Sequence, residues 1–368
     1  MGRMTAHVSV SPALRPLALI DELIGVALAS YDAELARRAG GRALFDHLAC
    51  LQAGRRDAPP GIGDAGAAAL RDLDDIHWPS VTHIGAIVWT VLRDVGAEGE
   101  LRWRAAHAGY EVTARLGAAL GPEHRRHWHA TATAGTVGGA VAAALALGSD
   151  PVHAAGHAIS VAGGSILCIL ERTGTRMVHR DHAARTALSC ARAAALAPAY
   201  DGLEHPRGMF AAMGGGAEDL LAPVDQPAIA TVSFRRHHTS GFSQAAVEAA
   251  QELAPVEPGS AVTLQVPDAT AALAAIAHPQ TGEEAWWSVQ HAVAVTLLGR
   301  ELADCPVDDP IVTGVRDRIT LTVGSGSRVQ AGDRVAERAV AAPLTDDDLL
   351  VKWHRLNPEL PAPAELLA

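Results

Sequence analysis

Lysine is almost missing from this chain of 368 residues: Lys352 is the only one, and every other basic side chain is arginine or histidine. Pyridoxal-phosphate and Schiff-base enzymes need a lysine amine in the site. Lys352 stands near the C-terminus, in a segment that reads as a surface helix, so both chemistries are disfavoured. Cysteine is also scarce. The four residues Cys50, Cys168, Cys190 and Cys305 are scattered, with no C-x-x-C among them, so neither a zinc ribbon nor a disulfide framework is indicated. Aromatic residues make up 4% of the chain, and Ala and Gly do much of the apolar filling, which favours close helix packing. Basic excess is absent too. The net charge of -11 argues against a nucleic-acid partner, which would need a basic face. No Gly-rich phosphate loop and no H-E-x-x-H occurs.

Targeting signals are equally thin. The first apolar run, from Leu17 to Ala29, carries Asp21 and Glu22, which a signal-peptide core would exclude. Gly2 follows Met1, but Ala6 stands where a myristoylation motif wants Ser or Thr. The uncharged run from Thr131 to Gly148 is built of Ala, Gly and Thr and reads as a buried core helix rather than a membrane span. The expectation is a cytoplasmic protein with no membrane and no nucleic-acid partner.

What is present is mainly helix. Leu101, Ala105, Ala108, Val112, Leu116 and Leu120 recur at helical spacing. Ala-rich stretches over 18–38, 42–53, 84–95, 131–147, 150–170 and 182–197 read the same way, with Pro59-Pro60 and Gly121-Pro122 as punctuation. After Pro227 the pattern changes. Ile229 to Arg236, Ala261 to Val266, Arg318 to Val323 and Arg334 to Val340 read as strands, while 243–253, 268–277 and the span from Trp286 to Leu302 read as helices. Thr345 with Asp348 three residues on forms a capping box, and Leu349, Leu350 and Trp353 follow on one face, so the last helix should fold back on the first domain.

Two clusters carry candidate chemistry. The first runs from Asp72 through Asp74, Asp75, Ile76 and His77 to His83 and Gly85, a loop entering a helix. Histidine beside carboxylates at a helix start suits proton transfer, and a solvated, capped loop is the alternative. The second runs from Arg125 through His127, His129 and Thr131 to Gly139, where a helix N-terminus can favour an anion. An exposed basic loop is the alternative there. A metal reading rests on His153-x-x-x-His157, an i,i+4 pair, with His127/His129 and His237/His238 as further donors, but no carboxylate stands at a suitable offset.

An ordered series of segments resembles the MmgE/PrpD family of dehydratases, decarboxylases and epimerases. It comprises Gly109-Tyr110-Glu111-Val112, the His-x-Thr-x-x-x-Gly-Thr stretch from His129 to Thr136, and the acidic loop leading to His83. It continues through Gly174 to His179, Leu203 to Phe210, Ser233-Phe234-Arg235-Arg236, Pro343 to Leu349, and Lys352-Trp353, and so covers nearly the whole chain.

The resemblance implies a mainly α protein that forms a homodimer: a large all-helical domain, residues 1–227 and 343–368, and a smaller α+β lid, residues 228–342, with the site between them. It implies His83 and His129 as the catalytic histidines, and Asp72 at the head of the acidic loop, with Asp74 as a competitor. Other positions depart from the family pattern. Ile76 replaces Thr, Arg176 and Arg235 replace Lys, His291 replaces Tyr, and Ser240 replaces the His of the decarboxylase branch. Thr131, Ile76, Ser240, Arg176 and Arg235 are the implied substrate contacts, with the two arginines read as carboxylate clamps. His291 is read as a substitute acid. The implied activity is cofactor-independent and metal-free proton transfer beside a carboxylate of a small-molecule substrate. Dehydration like that of 2-methylcitrate is the first expectation. Decarboxylation, epimerisation and a repurposed biosynthetic step are the alternatives, and a non-catalytic binding protein is a further one.

Overall fold

The computed structural model describes residues 17–196 and 201–368. Gly2 and Ala6 lie outside the described residues. The helical part opens with α1 (Ala18–Ala29), α2 (Ala33–Asp57), α3 (Asp64–Ala69), α4 (Gly85–Asp94) and α5 (Gly99–Arg125). It continues with α6 (Ala130–Leu147), α7 (Pro151–Val161), α8 (Leu167–Leu170), α9 (Thr175–Arg192), α10 (Met209–Met213) and α11 (Ala228–Thr231). The α+β part contains α12 (Gln244–Leu253), β1 (Val262–Val266), α13 (Asp268–Ala274), α14 (Gly282–Trp287), α15 (Val289–Leu297), α16 (Pro310–Arg316), β2 (Ile319–Val323), β3 (Ser327–Ala331) and β4 (Arg334–Arg338). The last helix is α17 (Asp346–Leu356).

The apolar run of α6 is the centre of the helical part. It is 83% buried within the protein, although long and apolar enough by composition to cross a membrane. Helices α4, α5, α7 and α9 pack around it. Small residues make that packing close. A Cβ placed on Gly138 would lie 2.0 Å from Thr113 Oγ1 and 2.4 Å from the Gly109 carbonyl oxygen, so α5 and α6 touch backbone to backbone there. Any side chain at 138 would drive the two helices apart.

The sheet has the order β2-β1-β3-β4. β1 runs parallel to β2 and antiparallel to β3, and β3 and β4 form a hairpin. Its core, with Val262, Leu264, Val266, Val293, Val312 and Val329, is separate from the helical one. Capping-box helix α17 returns to α2, where Leu349, Trp353 and Leu356 pack on Phe45, Ala49 and Ala53.

Three local expectations are corrected. The span from Ile229 to Arg236 is not a strand: α11 ends at Thr231, and only Ser233 pairs, through both backbone bonds, with Ile76. The span 150–170 breaks at Gly163-Gly164, where Gly164 takes φ +134°. Lys352 is not a surface residue. It is 3% exposed, because α17 turns it inward to Asp46 and the Leu73 carbonyl, 2.7 Å away.

Candidate active site

The acidic loop between α3 and α4 is held from every side. Asp72 adopts a left-handed φ of 51°, and Val81 does so near the other end at 54°. Such a conformation is costly for most side chains but tolerated by Asp, and it persists only where surroundings enforce it. The surroundings here are cationic. Arg235 Nε donates to the Asp74 carbonyl at 2.8 Å, and its guanidinium also binds the Asp74 carboxylate. Lys352 holds Leu73. Asp75 receives the Gly85 N–H at 3.0 Å, which caps the start of α4, and the Tyr110 hydroxyl at 2.8 Å.

Helix α9 supplies two more cations from one face, because positions 176 and 180 lie one turn apart. Arg176 Nη2 reaches Asp72 Oδ2 at 2.8 Å, and Arg180 Nη2 lies 3.3 Å from Asp74 Oδ2. From the α+β part, Glu283 of α14 comes within 3.6 Å of Arg176 Nη1. Both arginines are buried, at 1% and 2% exposure, yet Nε and Nη1 of each lack a hydrogen-bond partner among the described residues. Buried N–H groups of this kind are costly unless something accepts from them. Arg180 was missed by the sequence reading. Its signal was the i,i+4 spacing from Arg176.

His83 and His129 enter from the same side. His83 Nδ1 is 2.7 Å from the Asp75 carbonyl oxygen and 3.4 Å from Asp74 Oδ2. The carbonyl can only accept, so Nδ1 carries the proton and Nε2 is left with its lone pair. The His83 backbone N–H donates to Thr131 Oγ1 at 3.1 Å, so the buried Thr131 hydroxyl anchors this loop to the first turn of α6. His129 precedes α6, and its Nδ1 faces His179 Nδ1 of α9 at 3.2 Å.

Burial pushes the His83 imidazole down to about 3, with Asp74 opposing the shift. His129 is pushed well below its ordinary value by burial and then by Arg180. Both are therefore neutral near pH 7. Burial pushes the Asp74 carboxyl up, but Arg180, His83 and Arg235 outweigh it and hold the group well below the usual carboxylate range. Burial, and then the neighbouring charge of Asp74, raise Asp75 to about 7.

The structure thus gathers Asp72, Asp74, His83, Thr131, Arg176 and Arg235, with Arg180 added, and sets His129 alongside. The histidine partner is Asp74 rather than Asp72, which binds Arg176 instead. Three other candidates have other partners. His291 sits in α15 with Arg316 and Asp309 as its charged neighbours, and burial lowers it to about 4. Ser240 caps a short turn by accepting from the Phe242 N–H, and its own N–H binds the Trp286 carbonyl. Ile76 is buried and pairs with Ser233, and it lines, with Arg235, a cleft of about 1010 Å³ that otherwise runs past Arg42, Trp78 and Phe242. That cleft contains none of the histidines of the cluster.

The paired histidines of α7 are each turned to a separate backbone carbonyl. His153 Nδ1 is 3.0 Å from the Ala194 carbonyl, and His157 binds the Leu196 carbonyl.

No curated protein matches the chain in sequence comparison. A family model does: that of the MmgE/PrpD N-terminal domain, over residues 22–220. The matched span contains the acidic loop, His83, His129, Arg176 and Arg180 together. The chain belongs to the MmgE/PrpD family.

Proposed function

We propose that the cluster between α4, α6, α9 and the α+β part is the active site of a cofactor-independent lyase. In this reading it moves a proton beside a carboxylate, and dehydration of a hydroxylated di- or tricarboxylate is the reaction favoured. One observation carries the proposal: two buried guanidiniums with unpartnered N–H groups stand beside two neutral histidines. Removing a proton next to a carboxylate builds an enediolate, and fixed positive charge in a water-poor site stabilises it. Arg176 and Arg180 provide that charge and bind a substrate carboxylate through their free N–H groups. Arg235 serves the loop instead, since its Nε and guanidinium are engaged by Asp74.

His83 is the base in this reading. Its Nδ1–H is fixed on the Asp75 carbonyl, so Nε2 accepts the proton, and Asp74 stabilises the imidazolium that forms. His129, neutral as well, donates an N–H hydrogen bond to the departing hydroxyl, which leaves as water with the proton that His83 has taken. Glu283 occupies a place beside Arg176 that a substrate carboxylate would take, so α14 swings aside on binding. The family membership supports a dehydratase-like lyase. The chain is further proposed to act as a homodimer.

The test is a turnover screen of the purified chain, in EDTA, against 2-hydroxy and 3-hydroxy di- and tricarboxylates, followed in deuterated water by NMR. Water loss from one of these, abolished in the Arg176→Ala and Arg180→Ala double variant, is the expected result. Deuterium exchange without water loss would point to epimerisation, and carbon dioxide release to decarboxylation. Turnover of a substrate lacking any carboxylate would sink the proposal.

A further inference from the structure

We propose that His129, Cys168 and His179 form a binding site for a borderline-soft divalent cation of the zinc class. The three side chains come from three separate elements: the residue preceding α6, the short helix α8, and α9. Their donor atoms close a small triangle. Nδ1 of His129 and Nδ1 of His179 are 3.2 Å apart, Cys168 Sγ is 3.4 Å from His179 Nδ1, and it is 4.0 Å from His129 Nδ1. Zinc bonds of about 2.05 Å to nitrogen and about 2.3 Å to sulfur, at tetrahedral angles, separate two nitrogens by about 3.3 Å and nitrogen from sulfur by about 3.6 Å. The triangle matches these edges to within a few tenths of an ångström. It is the one group of three or more such donors among the described residues.

The frame around the triangle is built in backbone. The His129 N–H donates to the Gly164 carbonyl at 2.9 Å, and the Ile166 N–H donates to the His127 carbonyl at 3.0 Å. These bonds, with the bridge between Trp128 and Ser165, pin the segment carrying Cys168 to the segment carrying His129. Gly164 takes φ +134°, and a Cβ there would stand 3.1 Å from His179 Nδ1. The donor is thus kept clear by the absence of a side chain.

Chemistry agrees with geometry. Two imidazole nitrogens and one thiolate sulfur are the donor types that a zinc-class ion takes. Binding would transfer the thiol proton of Cys168 to solvent and form a metal–thiolate bond, and each imidazole would carry its remaining proton on Nε2. The Arg180 guanidinium opposes a cation here, but Asp74 lies 3.3 Å from it and offsets its charge. His129 and Cys168 are buried and His179 is half-buried, so the fourth position opens towards solvent on the His179 side. Imidazole and thiolate together select zinc-class ions over magnesium or calcium.

This site goes beyond the proposed reaction, which needs no metal. It has a mechanistic consequence all the same: a metal on Nδ1 leaves His129 with a protonated Nε2, unable to accept a proton.

The test is a titration of the untagged, chelator-treated full chain with Co²⁺, followed by absorption and then by displacement with Zn²⁺. One Co²⁺ per chain with a near-ultraviolet thiolate-to-cobalt band, removed by Zn²⁺, is expected. Cys168→Ala should abolish the band, and His179→Ala should weaken binding by more than about tenfold, with each variant's circular dichroism unchanged. Absence of the band in the wild type, or its persistence in Cys168→Ala, would overturn the proposal. No activity is read, so failure here leaves the proton-transfer reading standing, and failure of that reading leaves the site.

Discussion

Replacing the single lysine with methionine should cost far more than its place near the C-terminus suggests. Lys352 is 3% exposed and Asp46 is fully buried. The ammonium has two partners, the Asp46 carboxylate and the Leu73 carbonyl. Lys352→Met keeps the length of the stem and removes the charge. It strands a carboxylate in the core, a loss of about 3–5 kcal/mol when one member of a buried pair is deleted. The carbonyl loses a charged donor worth about 1.5 kcal/mol more. Against a total stability of about 5–15 kcal/mol, that is enough to unfold a large fraction of the protein. Urea titration at fixed protein concentration reads the change. The double variant Asp46→Leu/Lys352→Met removes both charges and should return most of the loss, because an apolar pair can replace a buried ion pair at little cost. Its turnover should stay low, since the Leu73 carbonyl at the head of the acidic loop has still lost its anchor. A single variant within about 1 kcal/mol of wild type would refute the argument, because a buried unpaired carboxylate cannot be that cheap.

Four further outcomes follow from named contacts. His83→Ala and His129→Ala should each lower kcat by about a hundredfold or more, the usual scale for a lost acid or base; retained turnover in both would move the proton-transfer pair elsewhere. Arg176→Lys should lose most of kcat/KM in steady-state assays, because a point charge cannot reproduce the fork, and full retention would reduce Arg176 to a source of charge. Gly138→Ala should destabilise by about 1–3 kcal/mol in the same urea assay, as a methyl forces α5 and α6 apart; an unchanged midpoint would contradict the close approach. Stability should fall as pH drops from about 6.5 towards 4. Buried His47, His83 and His237 are lowered to about 3, and His77, His124, His238 and His291 to about 4, so the unfolded chain binds protons that the folded one refuses. Each such histidine adds about 1.4 kcal/mol of loss per pH unit. Asp75, raised to about 7, and Asp46 and Glu283, raised by burial, have the opposite sign and lose stability as pH rises, but they are three groups against seven. A flat profile of urea midpoints between pH 6.5 and 4.5 would show that these imidazoles are not held neutral.

Helical spacing made the long elements legible, because a buried stripe such as that of α5 repeats with the turn of the helix. The sheet was less legible. The strands β1, β2 and β4 fell within expected spans, but β3 was missed, since Ser327-Arg328-Val329-Gln330-Ala331 alternates with only two apolar side chains and a serine facing inward. The span after Pro227 misled for the opposite reason. Val232, Ser233, Phe234 and Arg235 look like a strand, but there is no sheet to join, only the acidic loop, so the pairing stops after Ile76. In the candidate site, residue types pointed to loops that the structure brings together, yet partner choice was invisible. Nothing in the order Asp72-Leu73-Asp74-Asp75 tells which carboxylate meets His83. That is settled by Arg235 and Arg180, which arrive from about 160 and 100 residues downstream. Lys352 was misplaced for the same reason, since an isolated helix pattern does not reveal that a loop carbonyl and a buried carboxylate lie beneath it.

The exchange of lysine for arginine has a physical consequence at this site. A lysine can give up its proton when buried and so can serve as an acid or base, whereas a guanidinium stays charged. With Arg176, Arg180 and Arg235 around the acidic loop, the positive charge there is fixed, and in the proposed reaction proton traffic is left to the imidazoles and to Asp75. Fixed charge buried in this way needs counter-ions from the fold, and Asp72, Asp74 and the nearby Glu283 supply them. Asp72 and Asp74 belong to the loop and cannot leave without unfolding it. Glu283 belongs to the other part of the chain, is 27% exposed, and is raised above its ordinary value by burial with Arg176 opposing. It is therefore the weakest-held of the three anions, and in the proposed reaction the one that a substrate carboxylate displaces without disturbing the histidines.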